Sequence, residues 1–100
     1  MKEELYFLQD LFNTIQKKAK SKDSKSYTKK LLKGGKNIIA QKVSEESSEL
    51  IIDYLNGSKK RTIEEAADLI YHFVVLLYSK KINLNDIKKE LTKRHNVRRK

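Results

Sequence analysis

The stretch IEEAADLIYHFVVLLYS, residues 63–79, decides the fold of this 100-residue chain. Its apolar side chains cover most of the circumference of a helix, and such a helix must be enclosed by other elements. Thr62 followed by Glu65 matches a capping box, which predicts that the helix begins there. The chain has no proline and three glycines, so signals for strands and tight turns are few. We therefore predict an all-α protein with this segment as its core.

The segments before this helix also have helical periodicity. Apolar residues recur at helical spacing over residues 3–19, which predicts an amphipathic first helix. Ser26 is placed to cap a short second helix that stops at a glycine pair, residues 34–35. A third helix is predicted over Lys36–Asn56, with Gly57 as its C-terminal cap.

The last helix is predicted to begin at Asn83, with Asp86 three residues later, and to fray into the basic ending RHNVRRK. We thus predict a bundle of four to five helices in one domain over residues 1–95, with a basic C-terminal tail over 96–100. A chain of this size buries only about two-thirds of its unfolded surface. We expect dimerisation to complete the core.

The composition excludes several kinds of site. Without cysteine the chain cannot form disulfides, thiolate nucleophiles or zinc-thiolate sites. The N-terminus is too polar for a signal peptide, and the longest apolar run, residues 69–78, is too short to span a membrane. We expect a cytoplasmic protein that does not enter membranes. The net charge of +10 indicates attraction for anions, or simply a solvated surface.

The acidic residues are concentrated in one segment of this basic chain. Residues 45–68 hold seven acids and three basic residues, a net charge of −4, which leaves +14 on the rest. On a helix, Glu46 and Glu49 project within about 60 degrees of each other. Glu65 and Asp68 repeat that spacing on the next helix. The segment therefore predicts two acidic helix faces.

An antiparallel hairpin of these two helices would bring the carboxylates together. About a midpoint near residues 58 and 59, Glu49 and Asp68 come to the same level. Carboxylates that converge on one seam repel strongly unless cations neutralise them, and oxygen ligands of this kind suit Mg²⁺. A structural interpretation also fits: Glu65 closes the capping box with Thr62, Glu64 covers the helix N-terminus, and Glu45 pairs with Lys42.

The acidic motif resembles a known family. EESSE (45–49) followed by EAAD (65–68) is similar to the E-E-x-x-E then E-x-x-D signature of the all-helical nucleotide pyrophosphohydrolases related to the MazG protein. The segments SYTKKLLKGGKNIIAQKVSEE, EEAADLIYHFVVLL and ELTKRH look like the phosphoribosyl-ATP pyrophosphatase family.

This resemblance implies Mg²⁺-dependent hydrolysis of phosphoribosyl-ATP to phosphoribosyl-AMP and pyrophosphate, the second step of histidine biosynthesis. It implies a homodimer or a higher homo-oligomer, coupled in function to a phosphoribosyl-AMP cyclohydrolase. Ser47 departs from the family pattern, which has a small apolar residue there. The resemblance assigns Glu46, Glu49, Glu65 and Asp68 as metal ligands, and Glu45 as an outer ligand or the group that orients the attacking water.

Basic side chains near this motif are candidates for binding the substrate's phosphates. Lys42 lies on a neighbouring face of the same helix as Glu45. Lys33 and Lys36 flank the glycine pair, whose amides also suit an anion, although ordinary surface lysines would occupy the same positions. Arg94 is predicted either to contact phosphate from a partner subunit or to cap the last helix.

His72 lies one turn after Asp68 and is predicted either to contact the substrate or to be a buried, hydrogen-bonded core residue. Tyr27 and Thr28 match the family's SYT segment, which does not indicate whether they pack or bind. Two other functions stay open. One is hydrolysis of other nucleoside triphosphates, and the second is RNA or DNA binding through lysines, which the lack of a base-reading motif disfavours.

Overall fold

The computed structural model describes residues 2–23 and 25–99, with side chains over residues 6–23 and 25–95. These residues form five helices, which confirms the all-α prediction. The side chain of Leu5 and those of the tail over 96–100 lie outside the described residues, and the domain boundary at residue 95 stays a prediction. The helices are α1 (Lys2–Lys20), α2 (Tyr27–Gly34), α3 (Lys36–Asn56), α4 (Lys59–Ser79) and α5 (Leu84–Arg99).

Helix α4 is the centre of the bundle, because α1, α2 and α3 all pack against it. Val74 and Val75 of α4 are buried together with Ile15, Leu31 and Ile39 from the other three helices. Each such side chain contributes roughly 1.5–3 kcal/mol by leaving water. The C-terminal half of α4 is therefore the predicted core, while its N-terminal half forms the seam with α3.

Two of the predicted helix starts are confirmed by their caps. The Ser26 hydroxyl accepts a hydrogen bond from the Lys29 amide at 3.3 Å, and α2 ends at Gly35, whose φ of 86° is in the left-handed region that glycine tolerates. At α5, the Asp86 amide donates to Asn83 Oδ1 at 2.9 Å and the Asn83 amide donates to Asp86 Oδ2 at 3.1 Å. These reciprocal bonds fix the entry to α5.

The predicted start of the central helix is wrong by one turn. The cap of α4 is Ser58, whose hydroxyl accepts from the Arg61 amide at 3.1 Å, so Thr62 and Glu65 lie inside the helix. Thr62 donates its hydroxyl to the carbonyl oxygens of Ser58 at 2.9 Å and Asp53 at 3.2 Å. Glu65 therefore closes no capping box, and Glu64 does not cover the helix N-terminus. The interpretation of Glu64 and Glu65 as groups that stabilise the start of the helix is therefore wrong.

Helices α3 and α4 form the predicted antiparallel hairpin, with a different register. Gly57 ends α3 in extended conformation, and its amide donates to the Asp53 carbonyl at 2.8 Å. Arg61 reaches back to Asp53. Pairs across the seam are thus centred on residue 57, which places Glu49 level with Glu65 rather than with Asp68.

Helix α5 packs more loosely than the others, and Leu91 on it is 62% exposed. No helix among the described residues is both long enough and apolar enough to cross a membrane.

Candidate metal and phosphate site

Three carboxylates converge on the seam between α3 and α4. One oxygen from each of Glu46, Glu49 and Glu65 lies within 4.8 Å of the other two. Glu46 and Glu49 share a face of α3, and the register of the hairpin brings Glu65 of α4 opposite them. The predicted convergence of these acids is therefore found. The exposed Asp68 lies outside this group of three but is near enough to act on the charge of Glu65.

The chain itself leaves two oxygens of this group unsatisfied. Within the described part of the chain, Glu46 Oε2 and Glu65 Oε2 are buried and have no hydrogen-bond partner. Glu65 is only 5% exposed. Buried carboxylate oxygens without partners are costly, and a hard cation would satisfy them. The donor set, oxygen only and partly open to solvent, fits Mg²⁺.

Burial raises the pKa of the Glu65 carboxyl, and the neighbouring Glu49 carboxyl raises it further, while Arg61 opposes them. In the absence of a cation, folding therefore favours the protonated form. The same carboxyl in the unfolded chain has a pKa of about 4.5. Between that pH and the raised pKa, the folded protein therefore binds more protons at Glu65 than the unfolded chain does.

This shift predicts that metal-free protein loses stability as the pH rises above 4.5 towards the raised pKa of Glu65. Glu65→Gln cannot titrate, so in EDTA its melting temperature should rise relative to the wild type between pH 4.5 and pH 8. The two proteins are compared by thermal denaturation at each pH. A constant difference across that range would contradict the shift.

Arg61 contacts this site directly, and its role was not predicted from the sequence. Its guanidinium lies 2.8 Å from Glu65, 3.1 Å from Glu64 and 3.7 Å from Asp53. The four-residue spacing from Arg61 to Glu65 is the signal that would have found it. The arginine offsets part of the acidic charge.

Glu45 and Lys42 lie beside the acidic group and pair with each other. Lys42 Nζ is 3.5 Å from Glu45 Oε1, and the Gln41 amide donates to Glu45 Oε2 at 3.1 Å. The Tyr27 oxygen and the Glu45 carboxylate raise the pKa of the Lys42 amine. Lys42 thus remains cationic within reach of Glu46, where a bound phosphate would need it. Ser47 donates to the Val43 carbonyl at 2.8 Å, so it bonds within its own helix.

A hydrogen-bonded chain links Tyr27 to the acidic motif. His72 Nδ1 lies 2.8 Å from the Asp68 carbonyl, which can only accept, so this nitrogen carries the proton. His72 Nε2 then accepts from the Tyr27 hydroxyl at 2.9 Å. His72 is buried with both nitrogens bonded, which favours the core role over direct contact with substrate. Tyr27 also stacks on Tyr71, whose hydroxyl bonds to the buried Thr28.

Among the described residues, the other predicted phosphate binders form no ion pair with the acidic group. Lys33 and Lys36 are exposed at the junction of α2 and α3. Lys36 precedes Glu46 by ten residues, about 15 Å along the helix. Arg94 is exposed on α5 and bonds to Glu90 at 3.0 Å. A contact from a partner subunit stays a prediction.

Known proteins similar to this chain agree on one family. The family described as phosphoribosyl-ATP pyrophosphohydrolase matches residues 8–95. A phosphoribosyl-ATP pyrophosphatase from Sulfolobus acidocaldarius is 44% identical over 84 residues, which is 84% of this chain and 88% of that protein.

Longer relatives match as well. A histidine biosynthesis bifunctional protein HisIE from Bacteroides thetaiotaomicron is 45% identical over 93 residues, and one from Staphylococcus aureus is 39% identical over 93 residues. Each match covers 93% of this chain, but 46% and 44% of those proteins respectively. The chain therefore spans about half the length of these bifunctional relatives.

Proposed function

The chain belongs to the phosphoribosyl-ATP pyrophosphohydrolase family, and on that premise we propose that it hydrolyses phosphoribosyl-ATP to phosphoribosyl-AMP and pyrophosphate. The single observation that carries the proposal is the acidic group of Glu46, Glu49 and Glu65, with its two buried, unpartnered oxygens. Such a group is unstable alone and suited to hold a cation that chelates a polyphosphate.

Mg²⁺ is the proposed cofactor, with Glu46, Glu49 and Glu65 as its ligands and Asp68 as a further ligand on the exposed side. When bound, the ion would neutralise phosphate charge and lower the pKa of a water. Asp68 would reach the site by a change of its side chain, since it follows Glu65 by one turn.

The protein's own contribution is positioning and charge. Lys42, held beside Tyr27 and Glu45, supplies a cation for the phosphates. Glu45 is exposed to solvent, and we propose that its carboxylate orients the attacking water. The chain has no cysteine, so a thiolate nucleophile plays no part. Phosphoryl transfer of this kind needs mainly alignment and charge stabilisation.

The substrate is tested by incubating the purified chain with phosphoribosyl-ATP and, in parallel, with a panel of deoxynucleoside triphosphates in Mg²⁺. We expect pyrophosphate to be released fastest from phosphoribosyl-ATP. Faster release from a deoxynucleoside triphosphate would disprove this choice of substrate and favour the alternative function, hydrolysis of other nucleoside triphosphates.

We also propose that the active protein is a homodimer formed through the α3–α4 hairpin. Monomeric proteins rarely expose large contiguous apolar patches. Near the turn of the hairpin, however, large apolar side chains face solvent, and Tyr54 among them is 74% exposed. A second copy packed there would complete the core of a small domain. These residues, called the hairpin patch, are Ile51, Ile52, Tyr54, Leu55 and Ile63.

A charge within the hairpin patch should break the dimer. Leu55→Lys places a cation in an apolar interface, where its desolvation is costly. By sedimentation equilibrium, we expect the wild type at twice the chain mass of 11.7 kDa and the variant at that mass. Gln9→Lys on α1 adds the same charge elsewhere and should stay dimeric. A monomeric wild type would disprove the proposal.

Membership of this family also supports a proposed partner enzyme and a proposed location. The length of the bifunctional relatives supports the coupling of this reaction to a phosphoribosyl-AMP cyclohydrolase, on the same or a separate chain. We propose the cytoplasm as the location of the protein.

A further inference from the structure

The arrangement around Arg61 raises the question of what balances the acidic group before a cation arrives. Arg61 Nη2 is 2.8 Å from Glu65 Oε1, while the other oxygen of the same carboxylate, Oε2, is buried without a partner among the described residues. One oxygen of this carboxylate thus contacts a guanidinium, and the other is buried without a partner. Arg61 is the side chain that neutralises it.

Arg61 is held loosely enough to leave. Its side chain is 56% exposed, and its other two partners are Glu64 at 3.1 Å and Asp53 at 3.7 Å. Those carboxylates provide an alternative position a few ångströms from Glu65. An exposed arginine among three acids loses little when it exchanges one partner for another.

A dication and this guanidinium would share the single negative charge of Glu65. Both are cations, so each weakens the hold of the carboxylate on the other. The two binding events are therefore linked, and the linkage is reciprocal. The free energy by which Arg61 stabilises the metal-free site therefore lowers the affinity of that site for the metal.

From these contacts we propose that Arg61 is the resident counter-ion of the metal-free site and competes with the divalent cation for Glu65. On cation binding the guanidinium gives up Glu65 and is retained at the mouth of the site by Glu64 and Asp53. Once released from Glu65, its N–H groups would be available to donate to phosphate oxygens of a chelated substrate. This inference rests on the proposed metal site.

The test compares Arg61→Gln with the wild type at pH 8. Glutamine keeps hydrogen-bonding capacity and removes the charge. We expect Arg61→Gln to lower the melting temperature in EDTA by several degrees and to lose most of that deficit in saturating Mg²⁺. By titration calorimetry, its affinity for Mg²⁺ should rise about fivefold or more, the usual lower range of such a coupling.

Two further variants separate charge from structure. Arg61→Lys keeps the positive charge and should restore wild-type behaviour in EDTA. Lys17→Gln removes an exposed positive charge from the last turn of α1 and should leave Mg²⁺ affinity unchanged.

The outcomes distinguish this inference from the function it rests on. If the wild type binds Mg²⁺ but Arg61→Gln binds it equally or more weakly, the competition is disproved and the metal site stands. A melting deficit that persists in Mg²⁺ would give Arg61 a purely structural role. If the wild type does not bind Mg²⁺, both the proposed cofactor and this inference fail.

Discussion

Glu49→Gln is expected to lower the rate of phosphoribosyl-ATP hydrolysis about a thousandfold, which corresponds to about 4 kcal/mol of activation free energy. Glu49 supplies one of the three oxygens that converge within 4.8 Å on the α3–α4 seam. The amide keeps the size of the side chain and removes the charge. Steady-state release of pyrophosphate in Mg²⁺ measures the effect.

The loss has to be separated from unfolding. Glu49 repels Glu65, so in EDTA the variant should melt at the same temperature as the wild type or higher. Asp10→Asn makes the equivalent change at an exposed position of α1, outside the acidic group, and should keep full activity. A Glu49→Gln protein that is folded and turns over normally would remove the seam from the reaction altogether.

Much of the fold was predictable because its signals are local. Ser26, Gly35 and Asn83 act on amides and carbonyls within a few residues, so the sequence alone places these helix ends. The acidic group was predictable for a related reason. Glu46 and Glu49 share a helix face through their spacing. The next helix in the chain is apolar and has to pack against its neighbours, which predicts the hairpin that brings Glu65 to this face.

The register of the hairpin was not predictable in the same way. Two residues, Ser58 and Thr62, offer capping hydroxyls, and in the structure Ser58 is the cap. That choice starts α4 one turn earlier, shifts the centre of the hairpin to residue 57, and brings Glu65 rather than Asp68 level with Glu49. The same shift brings Arg61 back onto Asp53. Long-range pairs depend on a single local choice that propensity cannot resolve.

Side chains that act through others were the hardest to predict. The position of Tyr27 in the SYT segment gives no indication that its hydroxyl bonds to His72, 45 residues away in the sequence. The proposed dimer interface and the predicted phosphate contact of Arg94 would involve a second copy of the chain. The sequence predicts the chemical types that are present, whereas their pairing depends on packing.

Ile15→Ala should destabilise the protein by about 2–5 kcal/mol, the largest effect on stability that we expect from a single substitution. Ile15 is 0% exposed and packs at the centre of the core with Val74 and Val75. Alanine leaves a cavity that rigid neighbours cannot fill. Because domains of this size have only about 5–15 kcal/mol of stability, the variant should unfold at markedly lower urea concentration.

The matched control is Leu91→Ala, which removes a side chain of equal size from a position that is 62% exposed. It should cost under about 1 kcal/mol. Helix α1 contributes no residue to the acidic group of Glu46, Glu49 and Glu65, so the folded fraction of Ile15→Ala should still hydrolyse substrate at the wild-type rate at low temperature. Equal urea midpoints for the two variants would mean that α1 is not docked on α4. The scaffold that aligns the acidic seam would then have to be held by α2 and α3 alone.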